Sequence, residues 1–234
     1  MGVREVGTGY KPGDRFAPAD QMDVMKNTTS RILYTYWNEV RGRRPAPHRF
    51  EIEPARIAAI LPDAFILERV DNQTYRFRIA GTRLCEQFGK ELRGTNFLDQ
   101  WDSEDRFILK QRLLSISEQA SVGLFEYEAF GCGSDTTVQF EMLVVPLMQK
   151  DSVINRFLGA VSSCAGDWCL GLEDLTRRQL LRHETFWPEG VLPLMSNFNR
   201  RPLPDMRSAR LVRINQRSFR VYEGGLSRRS SEKG

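Results

Sequence analysis

From Tyr75 to Ile79 the chain alternates apolar and basic side chains: Tyr75, Arg76, Phe77, Arg78, Ile79. A period of two predicts a strand with Tyr75, Phe77 and Ile79 on a buried face and both arginines toward water. Similar alternation follows from Val122 to Phe130, where Phe125 and Tyr127 oppose Glu126 and Glu128. From Thr136 to Leu147 it places Val138, Phe140, Met142 and Val144 on one face, and Asn155 to Ser163 reads as a further strand. Ala64 to Val70, joined to Tyr75–Ala80 across the Asp71-Asn72 turn, completes a hairpin.

Helical spacing appears elsewhere. Asn27-Thr28-Thr29-Ser30 offers caps for a helix to Arg41, with Ile32, Leu33, Tyr36, Trp37 and Val40 on one stripe and Gly42 at its end. Pro45 and Pro47 enforce an extended link, and Pro54 opens a short helix to about Leu61. Gly81 predicts a turn, Thr82 an N-cap for Arg83 to Phe88, and Gly89 a stop. Asp102 or Ser103 caps a long helix to about Glu118, whose stripe groups Phe107, Leu113, Leu114 and Ser117 with the stem of Lys110. Leu175 to Glu184 looks helical, while Ala209 to Tyr222 alternates weakly and predicts a hairpin around Asn215-Gln216.

This order predicts an α+β fold: a five-stranded antiparallel sheet covered by helices on one face. The divisions are a leader (1–27), a sheet domain with its flanking helix (28–168), a helical extension (169–196) and a basic, partly disordered tail (197–234). The tail has ten basic and three acidic residues, so it holds +7, and the remainder −3, of the net +4.

Composition narrows the classes. Hydrophobic content of 41% and charged content of 27% suit a globular chain. No apolar run approaches the roughly 20 residues a membrane helix needs. The opening residues lack a secretory signal's apolar stretch, which makes the cytoplasm the expected compartment. Cys85, Cys132, Cys164 and Cys169 form no CxxC pair, and His48 and His183 neighbour none of them, so free thiols and no structural zinc are expected. Neither a phosphate-binding glycine loop nor an HExxH helix occurs, and two histidines assemble no convincing Ser-His-Asp order. No enzyme is predicted.

Tyr36-Trp37, Arg41-Gly42, Pro45, Arg49 and Pro54, then Leu61-Pro62-Asp63, then Arg78-Ile79-Ala80-Gly81-Thr82, Phe88-Gly89, Leu92 and Gly94, resemble a family of small stand-alone bacterial PAS signalling proteins. Glu53-Pro54 stands where that pattern has Asp-Pro. The resemblance implies a cytoplasmic sensory or regulatory module that dimerises and acts on partners such as histidine kinases or response regulators.

A haem-binding member would carry an axial histidine near the long helix, but His48 and His183 are placed outside the expected core. A flavin-binding one would carry an Asn-Cys-Arg motif, whereas Cys85 sits in Arg83-Leu84-Cys85-Glu86-Gln87. Both cofactors are disfavoured. Phe77, Ile79, Leu84, Phe88, Phe97, Phe107, Leu113, Phe125, Tyr127, Phe140 and Met142 line either a packed core or a pocket for a small apolar ligand. Ile32, Leu33, Tyr36, Trp37 and Val40 either pack on their own domain or meet a second chain. In the tail, Arg200, Arg201, Arg207, Arg210, Arg213, Arg217 and Arg220 suit a solvated extension or an acidic protein or membrane surface. Nucleic acid is disfavoured for want of a reading helix. A faint PilZ-like pattern, Arg200-Arg201 with Glu223-Gly224-Gly225-Leu226, is too short for a cyclic-dinucleotide barrel.

Overall fold

The computed structural model describes residues 22–131, 137–149, 152–164, 175–189, 210–214 and 217–221. Residues 1–194 and 195–234 form separate compact units.

In the first unit, helix α1 (Thr28–Arg41) is capped by Asn27, whose side chain accepts the Thr29 N–H, and closes at Gly42. A 3₁₀ segment follows at Pro54–Asp63, longer and tighter than the short helix expected there, with Pro62 inside it. Strands β1 (Ala64–Arg69) and β2 (Tyr75–Ala80) form the hairpin. Helix α2 (Thr82–Gln87) begins one residue earlier than its sequence suggests, with Gly81 and not Thr82 as N-cap. Helix α3 (Ser103–Gln119) starts at Asp102, which accepts the N–H groups of Glu104 and Asp105. Strands β3 (Val122–Gly131), β4 (Thr137–Met148) and β5 (Ile154–Ser163) follow.

Leu175–Phe186, expected to be helical, is strand β6. It pairs antiparallel along β3 from Val122↔Phe186 to Gly131↔Leu175. The segment's weak helical preference lost here to a free strand edge, whose unpaired N–H and C=O groups β6 satisfies. The sheet is therefore six-stranded and wholly antiparallel, in the order β2-β1-β5-β4-β3-β6.

Helices cover both faces, not one. On the inner face α2, the Phe97–Gln100 turn and α3 enclose a cluster that includes Phe65, Phe77, Phe97, Tyr127 and Phe140. On the outer face α1 and the Pro54–Asp63 segment pack on Ile66, Leu143, Val145 and Leu158. Strand β4, central and covered on both sides, is buried almost throughout, as a doubly covered strand must be.

A β-bulge corrects one face assignment. Ile66 pairs with Ile79 but Leu67 pairs with Phe77, so Arg78 is an extra residue on β2. The alternation inverts there: Phe77 remains inside, whereas Ile79 is 47% exposed. The α3 stripe is also rotated from expectation. Asp105, Leu109, Leu113 and Ile116 are its buried residues, and Phe107 is 60% exposed.

The second unit contains the hairpin β7 (Arg210–Ile214) and β8 (Arg217–Val221), paired antiparallel about residues 215–216 as the alternation predicts.

Candidate ligand cavity and contact surfaces

The stretch that carries the sequence resemblance turns out to build a junction. Gly81 donates its N–H to the Ala64 carbonyl at 2.8 Å, and a Cβ on it would lie 2.1 Å from the Pro62 carbonyl oxygen. Only a residue without a side chain fits this approach. One step on, Arg83 pairs with the buried Asp63 at 2.6 Å. Leu61-Pro62-Asp63 and the Gly81-Thr82-Arg83 turn are thus two halves of one contact that seats α2 on the hairpin. Gly89 and Gly94 have φ of +58° and +85°, values that an L side chain rarely adopts. They fold the chain back so that Gly94 and Thr95 bond to Phe77 at 2.8 and 3.0 Å.

Leu84 of α2 helps line an inner cavity of about 10 Å³, room for roughly one water molecule. Of the residues expected there, Phe77, Leu84, Phe88, Phe97, Tyr127 and Met142 line it. Leu113, Phe125 and Phe140 belong to the same cluster but stand back from it. Ile79 and Phe107 face outward, for the bulge and helix-rotation reasons given above.

Sequence reasoning missed Phe65, Leu92, Trp101, Val161 and Arg178, which complete the lining. Arg178 is the consequential one. It lies on β6 directly opposite Ala129 of β3. It is 6% exposed, and its guanidinium carbon lies 3.4 Å from the Phe88 ring centroid and 5.7 Å from that of Trp101. Burial pulls its pKa down to about 10, a loss that the neighbouring Tyr127 hydroxyl opposes, so it remains a cation at neutral pH. Burial raises the pKa of Tyr127 and raises that of Tyr75 to about 12; both stay neutral. Among the described residues the buried Trp101 indole N–H has no hydrogen-bond acceptor. Reading 175–184 as a strand would have flagged Arg178, since its register puts a cation on the face of Tyr127.

Asp105 also went unnoticed. Although charged, it is 7% exposed and accepts the Leu180 N–H at 2.7 Å, tying α3 to β6. Burial raises its carboxyl above the usual range, against the lowering effect of that hydrogen bond, while Asp102 and Glu104 push it further up.

On the outer face, Leu33, Tyr36 and Trp37 are buried against their own sheet, with Ile32 and Val40 partly buried beside them. The Trp37 indole donates to the Pro146 carbonyl at 2.8 Å, and the Tyr36 hydroxyl accepts the Glu53 N–H at 2.6 Å. The stripe is therefore used within the chain. Glu141, fully buried, accepts the N–H groups of Lys26 and Asn27 and so anchors the start of α1.

His48 lies before a short 3₁₀ turn, with Nδ1 3.0 Å from the Gln149 carbonyl oxygen and its ring stacked on Phe50. His183, expected outside the core elements, lies on β6 opposite Phe125. Burial and then Arg112 lower its pKa. Cys85 and Cys164 are free thiols, and Cys85 packs at the edge of the inner cluster. Among the described residues no group of three His, Cys, Asp or Glu side chains is placed to hold a metal, and no helix is long and apolar enough to cross a membrane. Arg210 and Arg213 fall on β7, and Arg217 and Arg220 on β8. Arg200, Arg201, Arg207 and the Glu223–Leu226 run, like the expected disorder of 227–234, lie outside the described residues.

A family model described as a PAS domain matches residues 25–162. No curated protein matches. Among solved structures, the chain is similar to a variant of the PAS-B domain of Drosophila melanogaster Cycle with bound glycerol, at 18% identity and a TM-score of 0.31, covering 42% of this chain and 98% of that one. It is similar as well to the PAS domain of an HTR-like protein from Haloarcula marismortui, at 17% identity and a TM-score of 0.31, covering 49% of this chain and 94% of that one.

Proposed function

Because this chain belongs to the PAS domain family, we propose that it is a regulatory signalling module that works through contacts with other proteins and carries out no chemistry of its own. The observation that carries this reading is the use of the sheet. Both faces are covered by the chain's own helices, and the inner cavity is about 10 Å³. Sites for cofactors and drug-sized ligands run to roughly 300–1,000 Å³. Haem, flavin or a large apolar ligand would each require the core to open many-fold. What the module offers outward includes Phe107 on α3, 60% exposed, with the Lys110 ammonium 5.9 Å from its ring centroid.

The partners in this reading are histidine kinases or response regulators, with a second copy of the chain as a further partner. The test is binding of the full chain to a panel of purified two-component proteins from its own organism, alongside light scattering. Saturable binding is expected, weakened about tenfold or more by Phe107→Glu. Because Phe107 faces solvent, that variant should keep its melting temperature. Failure to bind any member of the panel, with a strictly monomeric chain, overturns the reading.

A further inference from the structure

We propose that the outer edge of β6 is a docking strand for a second copy of this chain. The two β6 strands pair antiparallel about a twofold axis at His183 and join two six-stranded sheets into one. This names the surface for the self-association put forward above and rests on that part of the reading alone.

The two borders of the sheet are treated differently. At β2 the chain closes its own edge. The Phe77 N–H donates to the Thr95 carbonyl at 3.0 Å, the Phe77 carbonyl accepts the Gly94 N–H at 2.8 Å, and the Tyr75 N–H donates to the Asn96 side chain at 2.9 Å. At β6, among the described residues, no strand pairs on the far side. This strand also lies beyond the span that the family model matches, so the border it forms is not one the matched span itself presents. An open edge offers N–H and C=O groups to any extended chain. The Leu180 N–H is already taken by Asp105, and a bulge at Leu181 follows, so regular strand resumes at Arg182. Leu181 itself is 48% exposed.

Charge selects the occupant. Arg182 and Glu184 flank His183 and lie opposite Glu126 and Leu124 of β3. When two identical strands cross antiparallel at His183, each Arg182 stands opposite the other copy's Glu184, twice over by symmetry. Parallel pairing in the same register would set Arg182 against Arg182 and Glu184 against Glu184. Within one chain Arg182 already pairs with Glu184 and, at 3.7 Å, with Glu126. The crossed pairs therefore exchange partners and fix direction and register. The attraction comes from the strand-edge hydrogen bonds and from covering Leu181. Burial and then Arg112 lower the His183 pKa, so the two rings on the axis meet uncharged at neutral pH.

The test is light scattering of the full chain over a concentration series. Wild type is expected to dimerise reversibly. Arg182→Glu makes both flanking positions acidic and Glu184→Arg makes both basic, so each variant alone should dimerise at least tenfold more weakly. Mixed together, the two should recover a heterodimer, which a charge pair confined to one chain cannot explain. Hydrogen exchange gives a readout that needs no variant: protection of Leu181–Thr185 should rise with protein concentration, while that of Tyr75–Ala80 should not. A wild type that stays monomeric overturns the proposal together with self-association. A wild-type dimer whose Leu181–Thr185 exchange ignores concentration, or one that both variants keep, overturns the β6 surface alone. Binding to the panel of signalling proteins is read separately and bears on neither outcome.

Discussion

At the scale of single residues, Asp105 and Gly81 are held in place for opposite reasons. Burial raises the Asp105 carboxyl, so the folded chain binds that proton more tightly than the unfolded chain does. The resulting stability is complete below the ordinary value of 3.8 and disappears as pH climbs through the raised value. Asp105→Asn stays neutral at every pH, and its amide oxygen can still accept the Leu180 N–H. It should be more stable than the wild type near pH 7, with the advantage shrinking toward about pH 4, as read from urea midpoints. An advantage that grows on acidification would contradict the burial argument. Gly81 is fixed by space: in Gly81→Ala the new methyl meets the Pro62 carbonyl, a backbone atom that cannot step aside. A loss of about 1–3 kcal/mol is expected in denaturant unfolding, typical of overpacking.

At the scale of elements, capping and packing were plain in the sequence, while sheet membership was not. Asn27 and Asp102 sit where their short polar side chains announce helix starts, and both accept the N–H bonds expected of them. Asp102→Ala should therefore cost about 1 kcal/mol by thermal or chemical melting. β2 was legible to its ends, because Gly81 and the turn before Tyr75 punctuate it. Its last inward position was not, because a bulge at Arg78 is set by pairing with β1 and leaves no local mark. β6 was missed for a related reason: Leu175–Phe186 has no strong period of its own and takes its conformation from the edge of β3. With β6 misread, Arg178 was invisible, and so was the polar half of the cavity. Part of its apolar lining was legible, Phe77, Tyr127 and Met142 from strand alternation and Leu84, Phe88 and Phe97 from the helix and turn that follow β2, while Phe65, Leu92 and Val161 were not. Trp37 belongs to this scale too, since it joins α1 to the sheet. Trp37→Phe keeps most of the packing but strands the Pro146 carbonyl, and should lower stability by about 1–3 kcal/mol.

For the whole molecule, the matched family span ends at residue 162, before β6 begins at Leu175. A chain cut after Ser163 would bare the full length of β3 and remove the partner of Asp105. Such a truncation should melt at lower temperature and aggregate in light scattering, since an open apolar strand edge templates further pairing. A truncated chain that stays monomeric with an unchanged melting point would show β6 to be dispensable. In the intact chain β6 has two duties, one as the border of the sheet and one as the bearer of Arg178. Prising that ribbon loose would draw the positive charge out of the interior and off the Phe88 and Trp101 rings, so the rim and the core can only open together. Slow amide exchange along Leu175–Phe186 is then a remote gauge of how firmly the interior stays shut.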